Sequence, residues 1–333
     1  MSYSLNDFDY HLPEELIAQT PANKRDEARL LVYNRESKSI YDDFFYNIAK
    51  YLERGTTLVA NNSKVEKCRL FFDEGKIEIF ILNVLNDKTV EALVRPGKNF
   101  KKNTSRILPN GVTVRVDDIA PDGVRTLTLS HAPDDPVFEE HRFTPFPPYI
   151  LQDETLSDKY QTIFARDAGS KAAPTAGLRF TPALIENLKH QGFGWEEVTL
   201  HVGMGTFAPV KSDKIDDHIM HSEWYQMDKK TASELNRALH ITAVGTTSVR
   251  VLESVFKKFK HFKAYSGETD IFIRPGFKFR TVDSLITNFH LPKSTLLMLV
   301  AAFAGYDEMQ SIYQHAIKEK YRFYSFGDAM LIL

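Results

Sequence analysis

The sequence predicts an α/β protein in which a mostly parallel sheet is covered by helices and a small β-barrel domain is inserted. After about residue 160, strand-like and amphipathic helix-like segments alternate, as in parallel sheets with helical crossovers. Between residues 64 and 150 only strand-like segments occur. A chain of 333 residues is also long enough for two domains. We therefore expect a discontinuous α/β domain over 1–63 and 151–333, with the barrel at 64–150.

The N-terminal elements follow from local signals. Pro13 suits the first turn of a short helix that runs to residue 19, because proline's missing N–H is not needed there. ARLLVYN and SIYDDFF are predicted strands on either side of a polar turn at 35–38. An amphipathic helix that ends near Gly55 is expected next, followed by the buried strand TTLVA.

Five segments of the inserted region have strand character, and turn residues separate them. PNG at 109–111 and PDG at 121–123 contain residues that tolerate the conformations of tight turns. The Pro-rich segment at 143–150 is the expected exit linker. The five segments are KCRLFF, KIEIFIL, TVEALV, VTVRV and VRTLTLS.

The alternating region begins with a well-marked helix. Thr181 is its predicted N-cap, Pro182 its first residue and Gly192 its stop signal. Gly305 similarly closes the last apolar helix of the region. Between them, the predicted strands are EEVTLHV, ITAVG and DSLITNF, and the predicted helices are SVRVLESVFKKF and PKSTLLMLVAAFAG.

Composition excludes several classes of protein. The net charge is −2, so a polyanionic partner must be held by a local patch and not by a whole-molecule field. Cys68 is the only cysteine, which excludes an internal disulfide and Cys-rich metal sites. The start of the chain lacks the pattern of a signal peptide, and the longest apolar run, 296–304, is far below the roughly 20 residues of a membrane span. We expect a cytoplasmic protein without a membrane partner.

Two short motifs are incomplete versions of known sites. GMGTFA at 203–208 fits a dinucleotide-binding pattern, but Pro209 follows and no helical stripe comes after it. Gly203 and Gly205 therefore indicate only close backbone approach, to a ligand or, as the spacing favours, to a neighbouring strand. His221 and Glu223 form half of a zinc deaminase signature that a chain with one cysteine cannot complete. No metal site is predicted.

Two polar turns follow predicted strands. GTTS at 245–248 and PKST at 292–295 offer free N–H groups and hydroxyls at the start of helices. Such groups bind carboxylates or phosphates, or they cap the helix, and the two roles are compatible. Asn288 and His290 lie at the carboxyl end of the strand before PKST, where ligands of open α/β sheets bind.

A basic strip lies in the inserted region. Five cations occur over residues 95–106 without an acidic residue, and Phe100 lies among them. This pattern suits phosphate contacts with base stacking, although charge runs are more often solvated loops. The cations are Arg95, Lys98, Lys101, Lys102 and Arg106.

Several longer motifs occur along nearly the whole chain, and they include ALVRPGK, PFPPYI, AAPTAGL, HVGMGTFAPV, HIMHSEWY, AVGTTSVRVLES, TNFHLPKSTLLMLVAAFAG and YRFYSFGDAML. Together they resemble the S-adenosylmethionine:tRNA ribosyltransferase-isomerase family of queuosine biosynthesis. The resemblance implies that the α/β domain is catalytic. It also implies transfer and isomerisation of the ribosyl moiety of S-adenosylmethionine onto 7-aminomethyl-7-deazaguanine at the tRNA wobble position, with release of adenine and methionine. A monomer without a metal is expected.

Within the matched motifs, the resemblance suggests site residues. Histidine and a desolvated glutamate suit the proton transfers of this reaction, and the candidates are His201, His221, Glu223 and His290. The candidates for binding S-adenosylmethionine are Thr175, Gly177, Gly203, Gly205, Thr206, Thr246, Thr247, Ser294 and Thr295. The basic strip is the candidate tRNA contact.

The chain departs from the family pattern at three positions. Arg179 replaces a usual histidine, and Asn62 and Lys64 replace aspartate and arginine. Because arginine cannot exchange a proton near neutral pH, we do not place the general base at 179. Two alternatives stay open: a divergent, non-catalytic tRNA-binding homologue, and an S-adenosylmethionine-dependent enzyme that acts on another nucleoside acceptor.

Overall fold

The computed structural model describes residues 3–203 and 214–333. The chain divides into two compact units, Met1–Lys64 with Pro147–Leu333, and Val65–Phe146. The first contains a nine-stranded sheet and the second a seven-stranded sheet.

Eighteen strands occur among the described residues. Two of these strands, β4 and β12, form a small separate ladder. In chain order they are β1 (Arg29–Asn34), β2 (Ser39–Phe44), β3 (Thr57–Asn61), β4 (Ser63–Val65), β5 (Arg69–Phe72), β6 (Ile77–Val84), β7 (Thr89–Arg95), β8 (Ser105–Ile107), β9 (Thr113–Ile119), β10 (Arg125–Leu129), β11 (Arg142–Phe143), β12 (Asp167–Ser170), β13 (Gly194–Leu200), β14 (Glu223–Met227), β15 (Ile241–Val244), β16 (Tyr265–Thr269), β17 (Ser284–Asn288) and β18 (Ala329–Ile332).

The α-helices of the described residues all belong to the first unit. They are α1 (Pro182–His190), α2 (Lys229–Leu235), α3 (Thr246–Phe259), α4 (Thr295–Ala304) and α5 (Tyr306–Lys318). The two helices predicted before β3 are shorter 3-10 segments, Glu14–Leu16 and Phe45–Lys50. A further 3-10 helix, Thr175–Arg179, precedes α1.

The nine-stranded sheet is mixed. Its order is β16-β14-β13-β3-β15-β17-β18-β1-β2. The pairs β13–β3, β3–β15, β15–β17 and β18–β1 are parallel, and the other four are antiparallel. The predicted mostly parallel sheet is therefore wrong. Alternation of strands and helices after residue 160 does not fix strand direction, because β14 pairs antiparallel with both β13 and β16, and β18 pairs antiparallel with β17.

Apolar clusters bury both faces of this sheet. Along β1, Leu31 and Tyr33 belong to one cluster and Leu30 and Val32 to the other. Residues of α3, α4 and α5 complete the first cluster, and residues of α1 complete the second. Helices on both faces are the arrangement expected when central strands are parallel and almost wholly apolar.

Helix α1 confirms the local signals read from the sequence. Thr181 Oγ1 accepts a hydrogen bond from Leu184 N at 3.1 Å, and Pro182 is the first helical residue. Gly192, which follows the helix, has a φ of 86°. These local contacts define both ends of the helix.

The sheet of Val65–Phe146 is antiparallel throughout, in the order β11-β5-β6-β7-β10-β9-β8. The predicted turns are confirmed, with positive φ at Gly111 and Gly123. No pairing joins β8 to β11 within this fully described region, so the sheet is a half-barrel and the predicted β-barrel is confirmed only in part. The edge strands have only three and two residues, too few to close it.

Candidate active site

The carboxyl ends of β13, β3, β15 and β17 meet at one edge of the large sheet because these strands are parallel. A cavity of about 50 Å³ lies at this edge, where ligands of α/β sheets bind. Pockets that enclose a small-molecule ligand have roughly 300–1,000 Å³, so a nucleoside would place only one of its parts here. The polar residues lining the cavity are Tyr149, Thr175, Thr246, Thr247, Thr287, Asn288, His290, Tyr324 and Ser325.

The start of α3 lines this cavity. Gly245 precedes the helix with a φ of 89°, and a Cβ added there would lie 3.4 Å from the Cβ of Ala176. Within 3–203 and 214–333 no side chain caps the helix, so its first N–H groups are available to another partner. Thr247 Oγ1 is buried and has no hydrogen-bond partner within the described chain. The N–H groups, the helix dipole and this hydroxyl together suit a carboxylate or phosphate.

The end of β17 is anchored by Arg179, whose side chain is buried. Its guanidinium donates to Asn288 Oδ1, to the backbone oxygen of Thr175 and, at 2.7 Å, to the backbone oxygen of Gly327. Burial lowers the pKa of Arg179 to about 9, so the group is still a cation at neutral pH. The sequence analysis missed this anchoring role, because two of these acceptors are more than 100 positions away along the chain.

His290 is buried at the same strand end. Its Nε2 lies 2.8 Å from Thr287 Oγ1, and its backbone N–H donates to the hydroxyl of Tyr313 at 2.8 Å. Burial lowers the pKa of His290 to about 3, and the positive charge of Arg179 acts in the same direction. A neutral imidazole with so low a pKa is a weak base, so this environment favours hydrogen bonding over proton abstraction.

Glu223 is held by two contacts beside the sheet edge. Its carboxylate forms a buried ion pair with Arg250 and accepts a hydrogen bond from Gly203 N at 2.8 Å. Burial lowers the pKa of Arg250 to about 10. Because a buried, paired carboxylate loses its interactions when it is protonated, these contacts favour an anchoring role for Glu223. The same carboxylate fixes the backbone where the described segment ends at residue 203.

His201 and Val202 directly follow β13, and Val202 lines the cavity. Because successive residues of an extended chain point to opposite sides, the side chain of His201 lies on the side away from the cavity. Its ring stacks on Trp224, with ring centroids 4.9 Å apart. Gly169 leaves space for it, because a Cβ added there would lie 2.9 Å from His201 Nε2. The structure therefore does not bring His201 and His290 together around the cavity.

The segment around residue 221 is more open. His221 is exposed. His218 packs edge-on against Phe272 with ring centroids 5.5 Å apart, and burial lowers its pKa. Across 3–203 and 214–333, no cluster of three or more His, Cys, Asp or Glu side chains is arranged to hold a metal ion.

The other predicted ligand-binding residues differ in their surroundings. Gly177 packs against a phenylalanine ring, 2.6 Å from where a Cβ would be. Ser294 caps α4, which Thr295 begins, and neither residue lines the cavity. Gly205 and Thr206 lie outside the described residues.

The cations of the basic strip lie around the connection from β7 to β8. Arg95 and Lys102 are in ion pairs with carboxylates, at N–O distances of 3.1 and 2.6 Å. Lys98 and Lys101 are exposed and have no carboxylate partner among the residues described. These two lysines are the most available cations of the strip.

Phe100 does not fit the role expected of it. Its side chain is 1% exposed, in the core of the half-barrel. The Arg106 guanidinium lies 5.8 Å from its ring centre. The expected base stacking on Phe100 is therefore wrong, because the ring is covered by its own unit.

Part of the cavity lining has no local sequence signal. Tyr149 and Ser325 both line it, and their hydroxyl oxygens are 2.9 Å apart. They lie in matched motifs, but neither follows a strand or begins a helix. Only the folded chain brings them to the sheet edge.

The fold and the site define a mixed α/β protein with a ligand cavity at the carboxyl edge of its large sheet. The family model described as queuosine biosynthesis protein matches residues 5–332, and the chain belongs to this family. Relatives named S-adenosylmethionine:tRNA ribosyltransferase-isomerase are similar over 99% of both chains, at 48% identity in Thermotoga petrophila and 47% in Halothermothrix orenii. The family inferred from the motifs is thus confirmed.

A solved structure supports the same assignment. The crystal structure of S-adenosylmethionine tRNA ribosyltransferase from Thermotoga maritima is similar with a TM-score of 0.58 and 40% identity. The match covers 98% of this chain and 100% of that one. Within the described ranges, every helix is too short or too polar to cross a bilayer.

We predict that His290 makes stability depend on pH. Its folded pKa of about 3 is below the ordinary 6.5, so between these values the unfolded chain binds the extra proton. The contribution of His290 to the free energy of unfolding is fully present above pH 6.5. Below that value it decreases as the pH falls, by up to about 1.4 kcal/mol per pH unit. Urea unfolding at pH 7, 6 and 5 should show a steeper loss for the wild type than for His290→Asn. The exposed His11→Asn is the control, and equal slopes for all three proteins would contradict the prediction.

Proposed function

We propose that this chain is an S-adenosylmethionine:tRNA ribosyltransferase-isomerase of queuosine biosynthesis. It transfers and isomerises the ribosyl moiety of S-adenosylmethionine onto 7-aminomethyl-7-deazaguanine at the wobble position of tRNA. The products are epoxyqueuosine in tRNA, adenine and methionine. The observation that carries this proposal is the similarity, at 48% identity over 99% of both chains, to enzymes of that name.

This reaction has three requirements that the protein must meet. A base must remove a sugar proton beside the sulfonium, a donor must protonate the departing adenine, and the methionine carboxylate needs a binding site. The aminomethyl group of the tRNA base then attacks the sugar. The described residues bear on these requirements to different extents.

The start of α3 is the proposed site for the methionine carboxylate. It combines uncapped N–H groups with the buried, unpartnered hydroxyl of Thr247. Thr246 and Thr175 line the same cavity. A carboxylate there would satisfy donors for which the described part of the chain provides no partner.

Proton transfer remains assigned to a group of candidates. Glu223 is paired with Arg250, which favours anchoring, and His290 is a weak base in its buried environment. His201 and His221 have less buried imidazoles, in or next to the segment that connects β13 to β14. We therefore rank the two histidines ahead of Glu223 and His290 as bases.

The proposed tRNA contact is the basic strip, with Lys98 and Lys101 as its principal cations. Both side chains are exposed on the half-barrel unit. Flexible ammonium groups suit phosphates, which need charge without a fixed orientation. A cytoplasmic monomer that needs no metal completes the proposal.

A single-turnover assay tests the function. The protein is incubated with S-adenosylmethionine and tRNA that carries the aminomethyl-deazaguanine, and adenine release and the mass of the modified base are followed. Adenine release together with epoxyqueuosine is expected. Tight tRNA binding without adenine would instead indicate a non-catalytic homologue, and release only with another acceptor would indicate a different enzyme. The variants His201→Ala and His221→Ala should slow release by about 10² to 10⁴-fold if they carry proton transfer.

We predict that Thr247→Val weakens S-adenosylmethionine binding about ten-fold or more. The substitution removes a hydroxyl donor but keeps the shape, and a hydrogen bond to a charged group contributes about 1.5–3 kcal/mol. Isothermal calorimetry measures the affinity, and thermal unfolding checks that the variant is folded. Thr162→Val is the matched control, since it removes a buried hydroxyl that has no described partner and does not line the cavity. If the Thr247 variant binds S-adenosylmethionine with wild-type affinity, the turn at 245–248 only begins the helix and does not bind the ligand.

We predict that Lys98→Gln with Lys101→Gln weakens tRNA binding and flattens its dependence on salt. Each lost phosphate contact should reduce the slope of log K against log salt by about 0.7–0.9. Filter binding from low to high salt measures it. Lys229→Gln with Lys230→Gln, a pair of exposed lysines on α2, is the control of equal charge. If the slope is unchanged in the variant that lacks Lys98 and Lys101, these lysines do not contact phosphates and the strip is a solvated loop.

A further inference from the structure

Arg179, Asn288 and Thr175 form a chain of hydrogen bonds at the cavity, in which the donor and the acceptor of each bond are fixed. We propose that Arg179, acting through Asn288, makes the hydroxyl of Thr175 a donor to an acceptor atom of the ligand. Thr175 is then a specificity-determining residue, and Arg179 and Asn288 are positioning residues. The inference rests on the proposed function, because it takes S-adenosylmethionine as the ligand of this cavity.

The direction is set at Arg179. A guanidinium has only donors, so the group that faces it must be an acceptor. The side chain of Asn288 can present either its oxygen or its nitrogen, and the choice depends on the neighbours. Facing Arg179, it must present Oδ1, which is the contact in the structure. Its amide nitrogen is thereby turned to the other side.

The direction is transmitted to Thr175. Asn288 Nδ2 donates to Thr175 Oγ1 at 2.5 Å, so the threonine oxygen is an acceptor in this contact. The hydroxyl proton must therefore be donated to another atom. The described residues provide no acceptor for it, and Thr175 lines the cavity. A ligand atom with a free lone pair would accept this proton.

The arrangement cannot easily reverse. Arg179 is 3% exposed and Asn288 is 5% exposed, so water does not compete freely for their bonds. The guanidinium also donates to the backbone oxygens of Gly327 and Asp328, at 2.7 and 3.3 Å. Rotating it would leave several buried carbonyl groups without donors, which is costly.

The consequence is a preference for acceptors over donors. A carboxylate oxygen or an unprotonated ring nitrogen could take the Thr175 proton, whereas an ammonium group could not. S-adenosylmethionine offers both kinds of acceptor, at its methionine and adenine ends. The two sources can be separated with decarboxylated S-adenosylmethionine, which lacks only the carboxylate.

The first test is calorimetry of S-adenosylmethionine binding to Thr175→Val and Thr175→Ser. The valine variant should bind about ten-fold more weakly, and the serine variant, which keeps the hydroxyl, should stay within about two-fold of the wild type. Thr162→Val is again the control. If the valine loss disappears with decarboxylated S-adenosylmethionine, the acceptor is the carboxylate, and if it persists, the acceptor is in the remaining nucleoside part.

The second test is Asn288→Asp. A carboxylate at 288 can still accept from Arg179, but it would also accept the Thr175 proton and so reverse that bond. Binding should weaken about ten-fold in a folded protein, and combining Asn288→Asp with Thr175→Val should add little, because both remove the same donor. A purely structural role for Asn288 would make the two effects add.

The outcomes separate this inference from the function. A wild-type protein that neither binds S-adenosylmethionine nor releases adenine would overturn the proposed function and this inference with it. If the wild type binds, then wild-type affinity in Thr175→Val, or full additivity with Asn288→Asp, would overturn the donor role alone.

Discussion

The parallel pairing of β13, β3, β15 and β17 is the constraint on which the site depends. Because the four strands run in one direction, the segments that follow them arrive at one edge of the sheet. The side chain of Asn61 extends the pairing at this edge, since it donates to Leu200 O at 2.9 Å and accepts from Leu200 N at 3.0 Å. A shift in register would move the start of α3 and the end of β17 apart.

Buried charges determine the chemistry that this edge can support. Removing a charge from water is costly unless its partners replace the lost hydration. Arg179 meets this requirement with backbone and amide oxygens, and Glu223 meets it with Arg250 and a backbone N–H. Burial and the nearby charge of Arg179 disfavour a charge on His290, whose pKa is lowered to about 3. The site therefore combines fixed cations, a satisfied anion and an uncharged imidazole.

The two units carry different kinds of chemistry. The first holds the cavity, whose groups are mostly buried and act by orientation. The second presents exposed lysines on a half-barrel and keeps its aromatic residue Phe100 inside. In the proposed function the small charged molecule binds to the first unit and the phosphate backbone contacts the second, and these two kinds of binding make opposite demands on solvent exposure.

The sequence by itself determined the family, the ends of α1, the strand-only region and the turns at Gly111 and Gly123, because caps, turn residues and apolar periods act over a few neighbours. It also pointed to the strand ends that form the cavity. Only the tertiary structure decided that the large sheet is mixed, that Phe100 is buried, and that Arg179 holds Asn288 and Thr175 in one polar chain. Strand direction, burial and contacts between distant segments depend on the whole fold, so a local sequence pattern does not determine them.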